Sequence, residues 1–289
     1  MAAVAVVSDS TCTVPPELVE ANDISVVSLY VNFGGERTER EADLTDLARF
    51  YDEIRSAEEW PTTSQPSIGD FIAAYEPLLA DGRDIVSLHI SGALSGTCEA
   101  ARQAAETLER EGRGGERVHV YDSTTAAGGL GLMVLVAAKR AAAGASAEEV
   151  LEAVREARAN FKMWFAVDTL EFLKRSGRIG AASAWIGSTL KIKPILTLEA
   201  EITPVERVRT SARALERLRA YAEERQAAGA DAWVVQHIQS ADQARRLVEG
   251  CRELFGKEPV FVSEITPVLG VHTGPGLLGV GGIPARMLG

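Results

Sequence analysis

Short β-branched runs alternate with helix-period segments over the first 150 residues, and this alternation constrains the fold more than any other feature of the chain. Val4–Ser8 is such a run. Pro15-Pro16-Glu17 then opens a helix, with proline in the first turn, where its missing N–H has no partner to lose. Ile24–Phe33 reads as a second strand ended by the Gly34-Gly35 break. Apolar residues at 44, 47, 50, 51 and 54 have helical spacing and predict a helix over Thr45–Arg55. Helix Ile68–Ala80, strand Asp84–Ile90, helix Cys98–Glu111, strand Val118–Tyr121 and helix Leu130–Ala142 follow, with polar loops at Trp60–Ser67 and Ser91–Thr97. This βαβα order predicts an α/β fold with a parallel sheet covered by helices, because parallel neighbours need crossover connections.

The pattern changes near residue 160. Gly144-Ala145-Ser146 breaks an alanine-rich helix, and Ser146 with Glu149 matches a capping box for a helix to Ala159. Beyond lie strand Lys162–Val167, helix Leu170–Lys174, loop Arg175–Gly180 and helix Ala182–Thr189. Strands near Pro194–Leu198 and Glu201–Val205, helix Thr210–Ala228, strand Asp231–Ile238, helix Ala241–Phe255 and strand Pro259–Glu264 lead into a Gly/Pro-rich tail. A chain of 289 residues is expected to hold about two domains, here α/β domains over 1–160 and 161–289.

With 46% hydrophobic and 25% charged residues the composition is that of a folded chain, which excludes intrinsic disorder. A net charge of −11 argues against nucleic acid as a general partner, since phosphate contact needs a basic surface. Cys12, Cys98 and Cys251 are far apart and form no C-x-x-C pair, which argues against a disulfide scaffold or cysteine zinc site and fits a cytoplasmic protein. The start, MAAVAVVSDST, has no basic leader segment and reads as a strand. Ser123–Ala138 lacks formal charge but is too short to span a bilayer, and Ile265–Ala285 carries six glycines and three prolines. Both read as buried or site-lining, so no stable membrane insertion is expected, only transient contact. Charge is uneven: residues 1–100 hold 18 acids and 5 bases, whereas 162–219 hold 11 Lys/Arg and 6 acids. The basic stretch suits either solvated helix faces or a docking surface for an acidic or phosphate-bearing partner.

Three polar loops are candidates for chemistry: Pro61–Ser67 (PTTSQPS), Ser91–Thr97 (SGALSGT) and Gly270–Gly276 (GVHTGPG). The first two place hydroxyls and free N–H groups where helices start, which suits an anion, although the same Ser and Thr serve equally as helix caps. Ser95, Asp122 and His272 follow the chain order of an α/β-hydrolase triad. The elbow motif is G-x-S-x-G, however, and here the glycine lies three residues before Ser95. A serine hydrolase therefore stands as the alternative reading. Gly274–Gly279 matches G-x-G-x-x-G formally but has no strand or acidic residue after it, so a dinucleotide site is rejected. The four histidines show no metal-ligand spacing.

Taken together, Ser8-Asp9-Ser10-Thr11-Cys12, PTTSQPS, SGALSGT, LKRSGRI at Leu173–Ile179 and GVHTGPG resemble, in this order, the motifs of the DegV family. That family comprises bacterial fatty-acid-binding proteins, among them the FakB subunits of fatty acid kinase, and the resemblance extends over about residues 3–285. It implies two α/β domains with a ligand tunnel between them, holding one long-chain fatty acid such as palmitate or oleate and no other cofactor or metal. By the same resemblance Thr63, Ser95 and His272 would bind the carboxylate, with Ser64, Ser91, Gly96 and Arg178 near the head group. One glycine of the family's G-G-R-I motif is Ser176 here, and Gly92 stands where a second serine is common. Arg207, Arg209 and Arg213 resemble a docking surface for the catalytic subunit of the kinase. The implied role is that of a carrier, not catalytic alone, that presents the acid for acyl-phosphate formation; no G-x-x-x-x-G-K-[ST] loop is present to bind ATP.

The physics is consistent with such a ligand. Burying about 15 methylene-sized groups is worth on the order of 12 kcal/mol before ordering costs. A carboxylate taken inside cancels much of that gain unless hydrogen-bonded, and hydroxyls can satisfy it without a permanent ion pair.

Overall fold

The computed structural model describes residues 3–35, 37–57, 59–185 and 192–289. The chain runs through β1 (Val4–Asp9), α1 (Pro16–Ala21), β2 (Ile24–Val27), β3 (Tyr30–Phe33), β4 (Arg37–Arg40), α2 (Leu47–Ser56), β5 (Thr62–Ser64), α3 (Ile68–Ala80), β6 (Asp84–His89), α4 (Thr97–Arg110), β7 (Val118–Asp122) and α5 (Ala127–Ala142). It continues through α6 (Ala147–Asn160), β8 (Lys162–Ala166), α7 (Glu171–Arg175), β9 (Lys193–Glu199), β10 (Glu201–Val208), α8 (Ser211–Ala227), β11 (Ala232–His237), α9 (Ala241–Phe255), β12 (Phe261–Glu264), α10 (Pro267–Thr273) and β13 (Leu278–Ile283).

Among the described residues three sheets form. The first has strand order β2-β1-β6-β7 and is parallel throughout. Every residue of β1 is buried because both faces of the sheet are covered. Val4 and Val6 point to α5, while Ala5 and Val7 point to Phe71 and Tyr75 of α3 and Ala104 of α4. The second sheet has order β10-β9-β8-β13-β11-β12 and is antiparallel except for the β11–β12 pair. Its outer face is covered by α8 and α9, through residues such as Leu218, Leu247 and Cys251. Helix α5 lies between the two sheets, where Leu130 and Val134 share one core with Val86 and Leu88 of the first and Val234 and Ile283 of the second. This explains why Ser123–Ala138 carries no charge: residues 127–138 are all buried. The third sheet, β4-β3-β5, is a small antiparallel unit beside the cavity described below.

Several elements differ from expectation. Ile24–Phe33 is two strands in two sheets, because the backbone leaves the first sheet at Ser28-Leu29, where Leu29 N–H donates to Ser10 Oγ at 3.0 Å. The loop Trp60–Ser67 contains β5, paired to β3 with Val31 opposite Thr63. Helix Ala182–Thr189 is a 3₁₀ turn over Gly180–Trp185, and its remainder lies outside the described residues. The Gly/Pro-rich tail holds α10 and β13, a central strand of the second sheet. Its glycines fit crowding: a Cβ at Gly281 would stand 2.9 Å from Met163 Cβ on the neighbouring strand. Among the described residues no helix is long and apolar enough to cross a membrane.

Candidate functional site

A cavity of about 350 Å³, within the usual range for ligand pockets, lies between the second sheet, the small sheet, α7 and α10. Its walls are aliphatic and aromatic: Leu29 and Ile90 on one side, Phe165, Leu198 and Ile202 on another, Val268 and Leu277 on a third. Most of its polar groups gather where β5, the loop before α4, the loop after α7 and the end of α10 meet, with Thr63, Ser64, Gln65, Ser95, Arg178 and His272 in the lining.

Each polar side chain has a local reason for its position. Strand β5 alternates, so Thr62 and Ser64 are exposed while Thr63 turns inward. Ser67 caps α3 through a reciprocal bond with Asp70, and Tyr30 Oη donates to Asp70 at 3.0 Å, which fixes β5 against the helix start. Thr63 Oγ1 and His272 Nε2 share a 2.7 Å hydrogen bond. His272 stands in the last turn of α10, and the following Gly274 and Gly276 take positive φ values of 75° and 90° to turn the chain past Phe172 and Asp168. Trp60 holds this turn by donating from Nε1 to the Val271 carbonyl at 3.0 Å.

Ser95 lies just before α4. Its Oγ accepts the Thr97 N–H at 3.3 Å and shares a 2.9 Å bond with Thr97 Oγ1. Gly96 also lines the cavity, and a Cβ there would run into the Gln65 side chain. Arg178 crosses from the α7 loop, donating from Nε to the Leu94 carbonyl at 3.3 Å and from Nη1 to the Ser176 carbonyl at 2.6 Å. Ser91 stands apart from the lining, because its hydroxyl donates to the Ala200 carbonyl at 2.7 Å and ties its loop to the β9–β10 turn. Arg207, Arg209 and Arg213 are exposed around the end of β10 and the start of α8, away from the cavity.

Burial pushes the His272 imidazole down to about 4, with the nearby Arg178 charge acting in the same direction. The ring is therefore neutral at physiological pH and can exchange hydrogen bonds without adding charge. An unfolded chain protonates this ring near 6.5, so unfolding takes up a proton between about pH 4 and 6.5. The ligand-free protein should accordingly hold this contribution in full above pH 6.5 and lose it as pH falls toward 4, on the order of 3 kcal/mol in all. Urea midpoints at about pH 7.5 and 4.5 check this: His272→Gln should lose much of the slope. His237, also lowered by burial, remains as a common background of the same sign. Identical slopes for the two proteins would refute the assignment.

The hydrolase alternative finds no support in the hydrogen bonding. Among the described residues no bond joins any two of Ser95, Asp122 and His272. The Asp122 carboxylate instead accepts the backbone N–H groups of Gly92 at 3.1 Å and Thr124 at 2.8 Å. The motif at Ser8–Cys12 has a different use. Asp9 is fully buried and accepts bonds from Thr11, from Ile90 N–H at 3.0 Å and from His89 Nδ1 at 3.0 Å. Two further residues escaped sequence reasoning. Glu41, buried, accepts the Val268 N–H at 2.6 Å at the start of α10, and burial raises its carboxyl above the usual range. Gln236 lines the cavity and is 3% exposed. Nothing about a glutamate in an acid-rich stretch, or a glutamine within a strand, marks either residue.

The whole chain has known counterparts. The family described as "Uncharacterised protein, DegV family" matches residues 3–285. A DegV domain-containing protein of Streptomyces coelicolor is 38% identical over 282 residues, covering 96% of this chain and 97% of its own length. The structure of a DegV family protein from Thermus thermophilus, presented as one of fatty acid binding, superposes with a TM-score of 0.84 at 36% identity, over 98% of this chain and all of the other. DegV of Bacillus subtilis, described as a fatty acid binding protein, superposes with a TM-score of 0.86 at 33% identity and the same coverage. Agreement in sequence and in fold from end to end makes this chain a member of the DegV family.

Proposed function

We propose that this protein binds one long-chain fatty acid, such as palmitate or oleate, and presents its carboxylate to a separate ATP-dependent kinase for conversion to an acyl phosphate. The observation that carries the reading is the cavity itself: apolar walls with a cluster of hydroxyls and a neutral imidazole at one mouth. Family members described as fatty acid binding support it. In this reading the acyl chain lies along Phe165, Leu198, Ile202 and Leu277, and the carboxylate takes up the Thr63, Ser95 and His272 groups. Arg178 adds positive charge at the rim, beside Ser64 and Gly96. The exposed Arg207, Arg209 and Arg213 would meet the kinase; the Arg207 guanidinium stacks 4.5 Å from the Trp185 ring and Arg213 pairs with Glu216 at 2.7 Å.

Protein purified from a bacterial host should carry fatty acid, seen as a mass difference between native and denaturing spectra and identified after extraction. Protein that is empty and takes up neither palmitate nor oleate would overturn the proposal. Thr63→Val and Ser95→Ala should each weaken binding by about 1.5–3 kcal/mol, roughly ten- to a hundredfold in Kd, as loss of a hydrogen bond to a charged group does. Titration of delipidated protein with a fluorescent fatty acid measures this, and unchanged Kd values would remove those residues from the site.

A further inference from the structure

The cavity has a floor, and the floor is polar. Strand β13 leaves the His272 turn at Leu277, and on that strand the lining reaches no further than Gly279. Gly279 pairs with Gln236 on β11 and with Phe165 on β8, so these positions lie at one level of the sheet. One step deeper, beside Val234 and Gly281, the remaining space is about 10 Å³, room for no more than a single water. The Gln236 amide closes the β11–β13 side of this level, while Met163 and Leu198 carry the lining on across β8 and β9. Its Oε1 accepts the Gly128 N–H of α5, and its Nε2 donates to Thr13 Oγ1 and, at 3.0 Å, to Ser263 Oγ. Thr13 and Ser263 line a separate groove on the outside of the molecule, so this one side chain stands between the two spaces.

We infer that Gln236 is the end-stop of the acyl chain and sets the longest fatty acid the protein accepts. The inference rests on the fatty-acid reading and deepens it. A methyl terminus gains nothing by pressing on an amide whose bonds are all made, and displacing that amide would leave buried donors and acceptors unpaired. Each methylene above the floor adds about 0.8 kcal/mol, near fourfold in affinity, and the next one meets the amide.

The test is a series of saturated acids from 12 to 22 carbons, competed against a fluorescent fatty acid on delipidated protein. Wild type should tighten about fourfold per carbon up to one length and then stop or weaken. Gln236→Ala should move that length upward by two or three carbons, opening the space toward Thr13 and Ser263. Gln236→Met, similar in size but with no hydrogen bonds to lose when pushed aside, should raise the limit as well, by about one carbon. If Gln236→Ala does not fold, Gln236→Asn replaces it with an expected shift of one carbon. An unchanged limit in the shortened variants, an unchanged limit in Gln236→Met, or no length limit in wild type would each overturn the inference. Failure of wild type to bind any acid would instead overturn the fatty-acid reading.

Discussion

Asp9→Ala should cost about 4 kcal/mol or more and lower the melting temperature by at least about 8 °C. The carboxylate is fully buried, and its removal strands the N–H groups of Thr11 and Ile90 and the His89 ring in a site water does not reach. Each buried group left unpaired costs about 1–3 kcal/mol, and 1 kcal/mol moves the melting point of a chain this size by about 2–4 °C. The loss is a large part of the 5–15 kcal/mol that holds a typical protein together. It also spreads: His89 Nε2 bonds Ser87 Oγ at 2.7 Å, and Ser87 bonds Tyr75 Oη at 2.8 Å, so one residue organises the line from β1 through β6 to α3. Circular dichroism melting of the purified variant decides the matter. A shift below about 3 °C would mean that the neighbours find other partners.

Leu198→Trp is the second large effect, on binding instead of stability. Leu198 projects from β9 into the cavity and is almost fully buried. An indole there enters open volume instead of packed core, so the fold should tolerate it better than the 1–3 kcal/mol typical of overpacking. The same indole takes the place of several methylenes of an acyl chain, each worth about 0.8 kcal/mol. Fatty acid content after purification should fall below detection and the Kd for palmitate should rise at least a hundredfold, while the melting temperature stays within a few degrees. Lipid retained at wild-type level would show that the acyl chain does not run past β9.

Local signals account for the parts of this fold that were legible in advance. Helices Ile68–Ala80 and Ala241–Phe255 coincide with expectation because each has its own punctuation: the Ser67–Asp70 capping box in the first, and Gly256 in the left-handed conformation after the second. The division of Ile24–Phe33 was not legible, since the residue that bends the backbone there is Ser10, 19 positions earlier. Strand β13 was hidden for another reason. Glycine ordinarily signals a turn, but here it answers crowding from Met163 and Phe165, which only the pairing reveals. The candidate site divides in the same way. Thr63, Ser95 and His272 come from three polar sequence segments, now on β5, before α4 and in the last turn of α10, and converge on one cavity. Glu41 and Gln236 act through partners 227 and 223 positions distant, Val268 and Thr13, beyond the reach of any window.

The place of β13 has a consequence for biogenesis. It follows every other strand of its sheet in sequence, yet it lies between β8 and β11. A ribosome, delivering the chain from its amino end, releases β8 and β11 long before the strand that joins them exists. Until then both present bare edges, the kind that pair with neighbouring nascent chains. The six-stranded sheet is therefore complete only after translation has passed residue 283, and a chaperone that shields β8 and β11 in the interval should raise the yield of native protein.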